Sequence, residues 1–289
     1  IVDVESERVY KDGSTTHNFP SIMEEPSIEL SVVVPAYNEQ ERLPVMLTEC
    51  LEYLESRRQA SSTFSYEVLV VDDGSSDGTS AVVAQYSSKY GADVVRCLTL
   101  ARNRGKGGAV RMGMLRTRGR MLLFADADGA TKFADLSKLE TAMSDLCKDE
   151  RNPSESLGIV CGSRAHLEEE SVAQRSVFRT LLMHGFHNLV WLFTVRGIRD
   201  TQCGFKLFTR RTARILFHSL HIERWAFDTE LLMIGQTLGV PIAEVAVRWT
   251  EIEGSKITPV LSWLQMGGDL VLIWLRYTLG AWRIRTDIT

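Results

Sequence analysis

One stretch of this chain restricts its fold more than any other. The apolar run at 121–125 ends abruptly in Asp126-Ala127-Asp128-Gly129. A short apolar run closed by a turn signal is typical of a strand that is buried on both faces of a sheet. Asp126 and Asp128 are therefore predicted at the carboxyl end of a central strand, where open α/β sheets bind ligands. Either they hold Mg2+ or Mn2+, or they form a solvated turn.

The same pattern occurs twice more in the first half of the chain. An apolar run at 30–34 leads into Pro35-Ala36-Tyr37-Asn38-Glu39, and another at 66–71 leads into Asp72-Asp73-Gly74-Ser75. Between and after these runs, the patterns predict helices over 41–58, 79–90 and 106–116 and a further strand over 94–98. This alternation predicts an α/β fold with a mostly parallel sheet and helices on both faces. The polar strand ends should then share one edge of the sheet.

The second half of the chain is less regular. Its patterns predict strands at 157–162, 205–208 and 240–250, and helices at 135–147, 171–195, 228–238 and 258–282. We therefore divide the chain into an N-terminal arm (1–28), an α/β domain (29–250) and a C-terminal amphipathic extension (251–289).

The charge distribution indicates which ligands to expect. A net charge of −4 argues against nucleic acid as a partner. Residues 94–125, however, contain no acidic residue and eight basic ones, so this segment either binds phosphate or forms a solvated helix face. Gly105, Gly107 and Gly108 would let backbone approach a phosphate beside Lys106. The basic residues are Arg96, Arg102, Arg104, Lys106, Arg111, Arg116, Arg118 and Arg120.

The cysteines and the apolar stretches indicate the surroundings of the protein. Five scattered cysteines without a Cys-x-x-Cys pair argue against a zinc site or a disulfide framework and favour a reducing compartment. No uncharged apolar run reaches the ~18 residues of a membrane span. The aromatic-rich stretches 176–195 and 259–282 are flanked by arginines. They are either membrane-interface helices or ordinary core helices.

Several segments together resemble a known family. Val33–Glu39, Val70–Thr79, Asn103–Gly107 and Phe124–Asp128 are similar to family 2 glycosyltransferases with the GT-A fold, over about residues 29–250. Within that family, residues 126–131, 162–167, 200–206 and 224–228 most resemble the dolichyl-phosphate β-glucosyltransferases. Mannosyl relatives usually carry Asp-Ala-Asp-Leu-Gln, whose Gln helps to hold the metal. Ala130 at that position favours glucose as the transferred sugar and leaves the metal with one side-chain ligand fewer.

The resemblance implies partners and a location. It implies UDP-glucose as donor, dolichyl phosphate as acceptor and Mg2+ or Mn2+ as cofactor. It also implies the endoplasmic reticulum membrane, with the catalytic domain facing the cytosol, and a membrane anchor ahead of Ile1. It leaves a homodimer open.

The resemblance also implies roles for individual residues. The implied donor-binding residues are Pro35, Tyr37, Glu39, Asp72, Gly74, Lys106, Asp126 and Ala127, with Asp126 and Asp128 as metal ligands. The implied catalytic residues are Asp128, Arg164 and Asp228, and the implied acceptor-phosphate ligands are Arg164, Arg175 and Lys256. Alternatively, Arg164 is a surface cation after a strand and Asp228 is a helix cap.

The chemistry implied by the resemblance is an inverting single displacement. A phosphate monoester has its second pKa near ~6, so the acceptor is already largely dianionic and needs no strong general base. The nearest rival hypothesis is a mannosyltransferase that uses GDP-mannose, or a polyprenyl-phosphate sugar transferase of bacterial type. The other is a non-catalytic nucleotide-binding protein that docks on membranes.

Overall fold

A seven-stranded sheet organises the chain in this computed structural model, which describes residues 4–12, 14–148, 156–167, 195–252 and 259–286. The strands lie in the order β5-β4-β3-β6-β8-β7-β9. They are β3 (Ile28–Ala36), β4 (Tyr66–Asp72), β5 (Val95–Thr99), β6 (Gly119–Ala125), β7 (Ile159–Ser163), β8 (Phe205–Thr209) and β9 (Ile242–Ala246).

The direction of the strands positions the site. Neighbouring strands are parallel except that β8 runs antiparallel to both β6 and β7. The carboxyl ends of the other six strands therefore lie at one edge of the sheet, together with the amino end of β8. Every residue of β4 is buried, as expected for a central strand that is covered on both faces.

Helices cover both faces of the sheet, as the sequence predicted. One face packs against α1 (Leu43–Ala60), α2 (Thr79–Tyr90) and α4 (Leu136–Leu146) through strand residues such as Val32 and Val70. The opposite face, with Val33 and Val71, packs against the other helices. These are α3 (Lys106–Met114), α5 (Arg210–Ser219), α6 (Phe227–Thr237) and α7 (Pro259–Thr278).

The predicted elements agree with the structure to within a few residues, with two exceptions. The strand expected at 240–250 is only five residues long, from Ile242 to Ala246. Helix α5 was not predicted at all, although Thr209 caps it by accepting a hydrogen bond from Thr212 N. The helix expected at 171–195 lies almost entirely outside the described residues.

The N-terminal arm forms a hairpin of β1 (Val9–Asp12) and β2 (Thr15–Asn18). The arm is bound to the α/β domain through buried arginines. Arg104 and Arg116 contact Glu7, and the Arg96 guanidinium lies 5.0 Å from the ring centroid of Tyr10. Arg210 donates to the carbonyl oxygens of residues 21 and 24. Three of the eight basic residues, Arg96, Arg104 and Arg116, are therefore buried against the arm and do not belong to a solvated helix face.

Helix α7 lies against the core with one face only. Met266, Leu270 and Ile273 are buried, whereas Trp274 and Leu275 are about two-fifths exposed. Among the helices that the structure describes, none is long and apolar enough to cross a membrane.

Candidate active site

Four loops meet at the carboxyl edge of the sheet, following β3, β4, β5 and β6. The first two are joined by side chain to backbone bonds, because Asn38 N donates to Ser75 Oγ (2.9 Å) and Ser76 N donates to Asn38 Oδ1 (2.8 Å). Asn38 has a φ of 52°, a left-handed conformation that asparagine tolerates better than most residues. Tyr37 is thereby presented at the surface of the edge, with 40% of its area exposed.

Asp72 is a buried carboxylate at the end of β4. It accepts hydrogen bonds from Ser75 N (2.9 Å) and from the Ser80 hydroxyl. Gly74 follows with a φ of +70°, and a Cβ there would come within 3.0 Å of Asn103 N. The turn after β4 therefore requires glycine, and it brings the β5–α3 loop against the carboxyl ends of β3 and β4.

Asp73 fastens that loop. Its two carboxylate oxygens accept from Arg104 N (2.7 Å) and Gly105 N (2.8 Å). Burial raises the pKa of Asp73 to about 6, against the opposing effect of these hydrogen bonds. The loop leads directly into Lys106 at the start of α3.

The Asp126–Asp128 pair lies opposite Lys106. Lys106 Nζ lies 2.7 Å from Asp126 Oδ1, and Ala130 N donates to Asp128 Oδ1 (3.0 Å). Burial, and then the charge of Asp126, raises the pKa of Asp128. Two carboxylates so close together favour a bound cation, which would relieve their repulsion.

The two carboxylates fit a divalent metal ion whose remaining ligands come from a substrate. Mg2+ is usually bound through one or two carboxylates plus phosphate oxygens rather than by an all-protein cage. Among the described residues, no group of three or more His, Cys, Asp or Glu side chains could hold a metal. Asp126 and Asp128 are therefore suited to a metal that is completed by a diphosphate.

Gly204 creates the space that the Asp126 carboxylate fills. Asp126 N donates to Gly204 O (3.0 Å), which joins β6 to the start of antiparallel β8. A Cβ on Gly204 would lie 1.9 Å from Asp126 Oδ2. The sequence analysis did not identify this role, because the two residues are far apart in the chain.

Arg42 is another residue that the sequence analysis missed. Its Nε donates to Glu39 Oε2 (2.7 Å). Burial opposes the shift, but the hydrogen bond to Glu39 and then the charges of Glu39, Asp128 and Asp126 raise the pKa of Arg42. Glu39, which was predicted to bind the nucleotide-sugar donor, is thus paired with the Arg42 guanidinium beside Asp126 and Asp128. Pro35 and Ala127 flank this region, partly buried and buried respectively.

Arg164 follows β7 and forms a bidentate pair with Asp200. Nε and Nη2 of Arg164 lie 2.8 and 2.9 Å from the two carboxylate oxygens, and the guanidinium lies 5.4 Å from the Trp249 ring centroid. Although burial opposes it, Arg164 lowers the pKa of Asp200. The planar guanidinium is thereby held in one orientation, partly exposed at the edge.

Asp228 forms a fully buried ion pair with Lys206. Lys206 Nζ donates to Asp228 Oδ1 (2.7 Å) and to Cys203 O (2.6 Å), next to Gly204. Burial raises the pKa of Asp228 even though Lys206 and Lys106 oppose the shift. Asp228 lies in the first turn of α6 and does not cap it, since the N-cap residue is Ala226.

The remaining predicted residues divide into two groups. Arg175 and Lys256 lie outside the described residues. Gly107 and Gly108 do not form a phosphate cradle, because Cβ atoms there would lie 2.5 Å from Phe227 Cβ and 2.7 Å from Arg104 Cβ. These two glycines instead allow α3 to pack closely against its neighbours.

Comparisons with known proteins agree on the family. The sequence model described as Glycosyl transferase family 2 matches residues 31–212. Two relatives are named dolichyl-phosphate beta-glucosyltransferase. The one from Drosophila melanogaster is 63% identical over 280 residues, covering 96% of this chain and 85% of the relative. The one from Mus musculus is 64% identical over 266 residues, covering 92% and 81%.

Solved structures with lower identity share the fold. Mannosyl-3-phosphoglycerate synthase from Rubrobacter xylanophilus aligns with a TM-score of 0.58 at 18% identity, covering 88% of this chain and 75% of that one. Glucosyl-3-phosphoglycerate synthase from Mycobacterium tuberculosis, in complex with Mn2+, uridine diphosphate and phosphoglyceric acid, aligns with a TM-score of 0.53 at 18% identity, covering 86% and 78%.

Proposed function

The chain belongs to glycosyl transferase family 2, and from this premise we propose that it uses UDP-glucose and a divalent metal to glucosylate dolichyl phosphate. It is a glycosyltransferase with a GT-A fold that transfers glucose to dolichyl phosphate. The observation that carries the proposed donor site is the Asp126–Asp128 pair facing Lys106, one loop away from Asp72.

The donor would lie across the carboxyl edge of the sheet. Asp72 offers a buried carboxylate to the uracil or ribose, and Lys106 exchanges its bond to Asp126 for one to the diphosphate. Asp126 and Asp128 would hold Mg2+ or Mn2+, which when bound stabilises the developing charge on the leaving diphosphate. The metal in the Mycobacterium tuberculosis complex supports this assignment through the shared fold.

The acceptor would approach from the side of Arg164. Its phosphate oxygen forms the new bond to the anomeric carbon while the bond to UDP breaks, which inverts that carbon. Because the phosphate is already ionised near neutral pH, the site must orient it and balance its charge. Arg164, held by Asp200 and Trp249, supplies a fixed cation for that purpose, and Arg175 and Lys256 remain predicted ligands. Asp228, behind Lys206, would set the charge beside Asp126 rather than accept a proton.

A membrane surface would bring the lipid acceptor to this edge. Helix α7 and the residue directly after it carry an exposed apolar stripe of Val271, Trp274, Leu275 and Leu279, next to Arg276. Amphipathic helices with aromatic and basic residues bind membrane interfaces. We therefore propose that residues 251–289 dock the α/β domain on the cytosolic face of the endoplasmic reticulum, while residues 1–28 and 29–250 form the arm and the catalytic domain.

The decisive experiment compares sugar transfer to dolichyl phosphate from UDP-glucose and from GDP-mannose, each with and without Mn2+. We expect metal-dependent transfer of glucose, lost in Asp128→Ala and retained in Asp145→Ala. Asp145 is an exposed acid on α4 that serves as the matched control. Transfer of mannose would refute the donor assignment. Activity in Asp128→Ala equal to wild type would refute the metal site, and absence of transfer from either donor would favour a non-catalytic binding protein.

A further inference from the structure

The N-terminal arm places one carboxylate deep inside the molecule. Glu7 ends a short 3-10 turn (Glu5–Glu7), and its side chain is fully buried. It lies outside residues 31–212, to which the family model is matched. A buried carboxylate is costly unless it is paired and hydrogen-bonded, so its partners indicate what it stabilises.

Both oxygens of Glu7 contact the β5–α3 loop. Oε1 accepts from Ala101 N (3.0 Å), and Oε2 lies 2.7 Å from Arg104 Nη2. The backbone oxygen of Glu7 accepts from Arg116 Nε (2.9 Å), whose guanidinium also donates to Met112 O at the end of α3. The arm therefore contacts the loop that precedes α3 and, at the other end of the helix, Arg116, which in turn binds the last turn of α3.

The loop is consequently held from two sides. Glu7 binds the side chain of Arg104, whereas Asp73 binds the backbone N–H groups of Arg104 and Gly105. One residue later, Lys106 Nζ lies 2.7 Å from Asp126. The position of the Lys106 ammonium thus depends on a short segment that is clamped between two buried carboxylates from different parts of the chain.

We propose that Glu7 is a positioning residue for the donor site, which acts through Arg104 to hold the Ala101–Lys106 segment against Asp73 and Lys106 against the diphosphate. This inference rests on the proposed function, because it takes the carboxyl edge to be the nucleotide-sugar site. Charge-assisted bonds to a buried partner restrict the loop to one conformation before the donor arrives.

The test is the dissociation constant of UDP in the presence of Mn2+, measured calorimetrically on the full chain. Glu7→Gln keeps an acceptor for Ala101 N but removes the charge that holds Arg104. We expect UDP binding to weaken about tenfold, because small displacements of positioned groups have large effects. The KM for dolichyl phosphate should stay unchanged. The double variant Glu7→Gln/Arg104→Gln should recover most of the loss, since two carboxamides can bond each other without a buried charge.

The matched control is Glu67→Gln. Glu67 is also fully buried and pairs with Arg96 and Arg118, but it lies near the amino end of β4, and none of its hydrogen bonds or ion pairs reaches 101–106. It should lower the melting temperature while leaving UDP affinity within about twofold of wild type. Because Arg96 packs on Tyr10, this control separates general loosening of the arm from the specific effect of Glu7.

The outcomes are distinguishable. Folded Glu7→Gln that binds UDP as tightly as wild type would overturn the inference, as would an equal loss in Glu67→Gln. If Glu7→Gln does not fold, Arg104→Gln tests the same bond from the other side. A wild-type protein that binds UDP but transfers no glucose would refute the proposed function while leaving the comparison of affinities intact. If the wild type binds GDP instead, the same comparison applies with GDP.

Discussion

Replacing Gly204 by alanine should disable the donor site without unfolding the domain. The added Cβ would lie 1.9 Å from Asp126 Oδ2, whereas carbon atoms in ordinary contact are separated by about 3.5 Å. Asp126 cannot retreat with its backbone, because its N–H donates to Gly204 O (3.0 Å) within the β6–β8 pairing. Its carboxylate must therefore rotate away, by roughly 1.5 Å or more.

That displacement should have a large effect on turnover. A misplacement of about 1 Å at a reacting centre can reduce the rate about 100-fold, equivalent to about 2.7 kcal/mol of transition-state stabilisation. We therefore expect Gly204→Ala to reduce kcat/KM for UDP-glucose about 100-fold, with a raised Mn2+ requirement. The assay is glucosyl transfer to dolichyl phosphate over a series of Mn2+ concentrations.

Gly158→Ala is the control for crowding. Its Cβ would lie 2.6 Å from Met143 Sδ, just ahead of the amino end of β7, which faces away from the site. It should lower the melting temperature and leave kcat/KM close to wild type. If Gly204→Ala retains full activity and an unchanged Mn2+ dependence, the placement of Asp126 as a metal ligand is wrong.

Three other perturbations test separate parts of the structure. Burial raises the pKa of Asp73 to about 6, above its value near ~3.9 in an unfolded chain, so its contribution to stability is complete below ~4 and declines as pH rises through 6. The melting temperature of Asp73→Asn relative to wild type should therefore rise across this interval, and a difference that does not change with pH would contradict the shift. Lys206→Met should reduce the free energy of unfolding in urea by about 3–5 kcal/mol, because it leaves the buried charge of Asp228 unpaired. Adding Asp228→Asn to the same chain should recover most of that loss, whereas additive losses in the double variant would refute the pairing. Trp274→Asp should weaken binding to phosphatidylcholine vesicles in a flotation assay without changing UDP affinity. Gln265→Asp, on the opposite side of α7 from Trp274, should have little effect, and equal binding by the two variants would argue against the stripe as the docking surface.

The sequence predicted the site edge because parallel strands leave little choice. Once the runs before Asp72 and Asp126 are taken as parallel strands of one sheet, their carboxyl ends must lie at the same edge, and the structure places them there with β3 between them. The family resemblance implied Lys106 and Asp126 as residues of one donor site, and Lys106 contacts Asp126 directly. Local patterns thus suffice where chain direction decides geometry.

Apart from the Arg42–Glu39 pair, the contacts that the sequence did not predict depend on distant pairing. The residue pattern of the short strand β8 does not reveal whether it runs parallel or antiparallel to β6, so nothing local indicated that Gly204 would lie against Asp126. Arg104 and Arg116 looked like phosphate ligands because Glu7, their partner, lies about a hundred residues earlier. Helix α5 was missed for a different reason, since its cap, Thr209, is itself the last residue of β8.

The arginines that bind the arm have a consequence for the order of events during synthesis. The oxygen of Glu24 and the guanidinium of Arg210 are 186 residues apart in sequence. At translation rates of about 5–20 residues per second, the arm emerges roughly 10–40 seconds before this last partner exists. Glu7 finds Arg104 and Arg116 after about a hundred residues, whereas the end of the arm at residues 21–24 must wait for Arg210. The arm therefore closes in two steps during synthesis, and a chain that stalls before Arg210 would have its arm bound through Glu7 but not through residues 21 and 24.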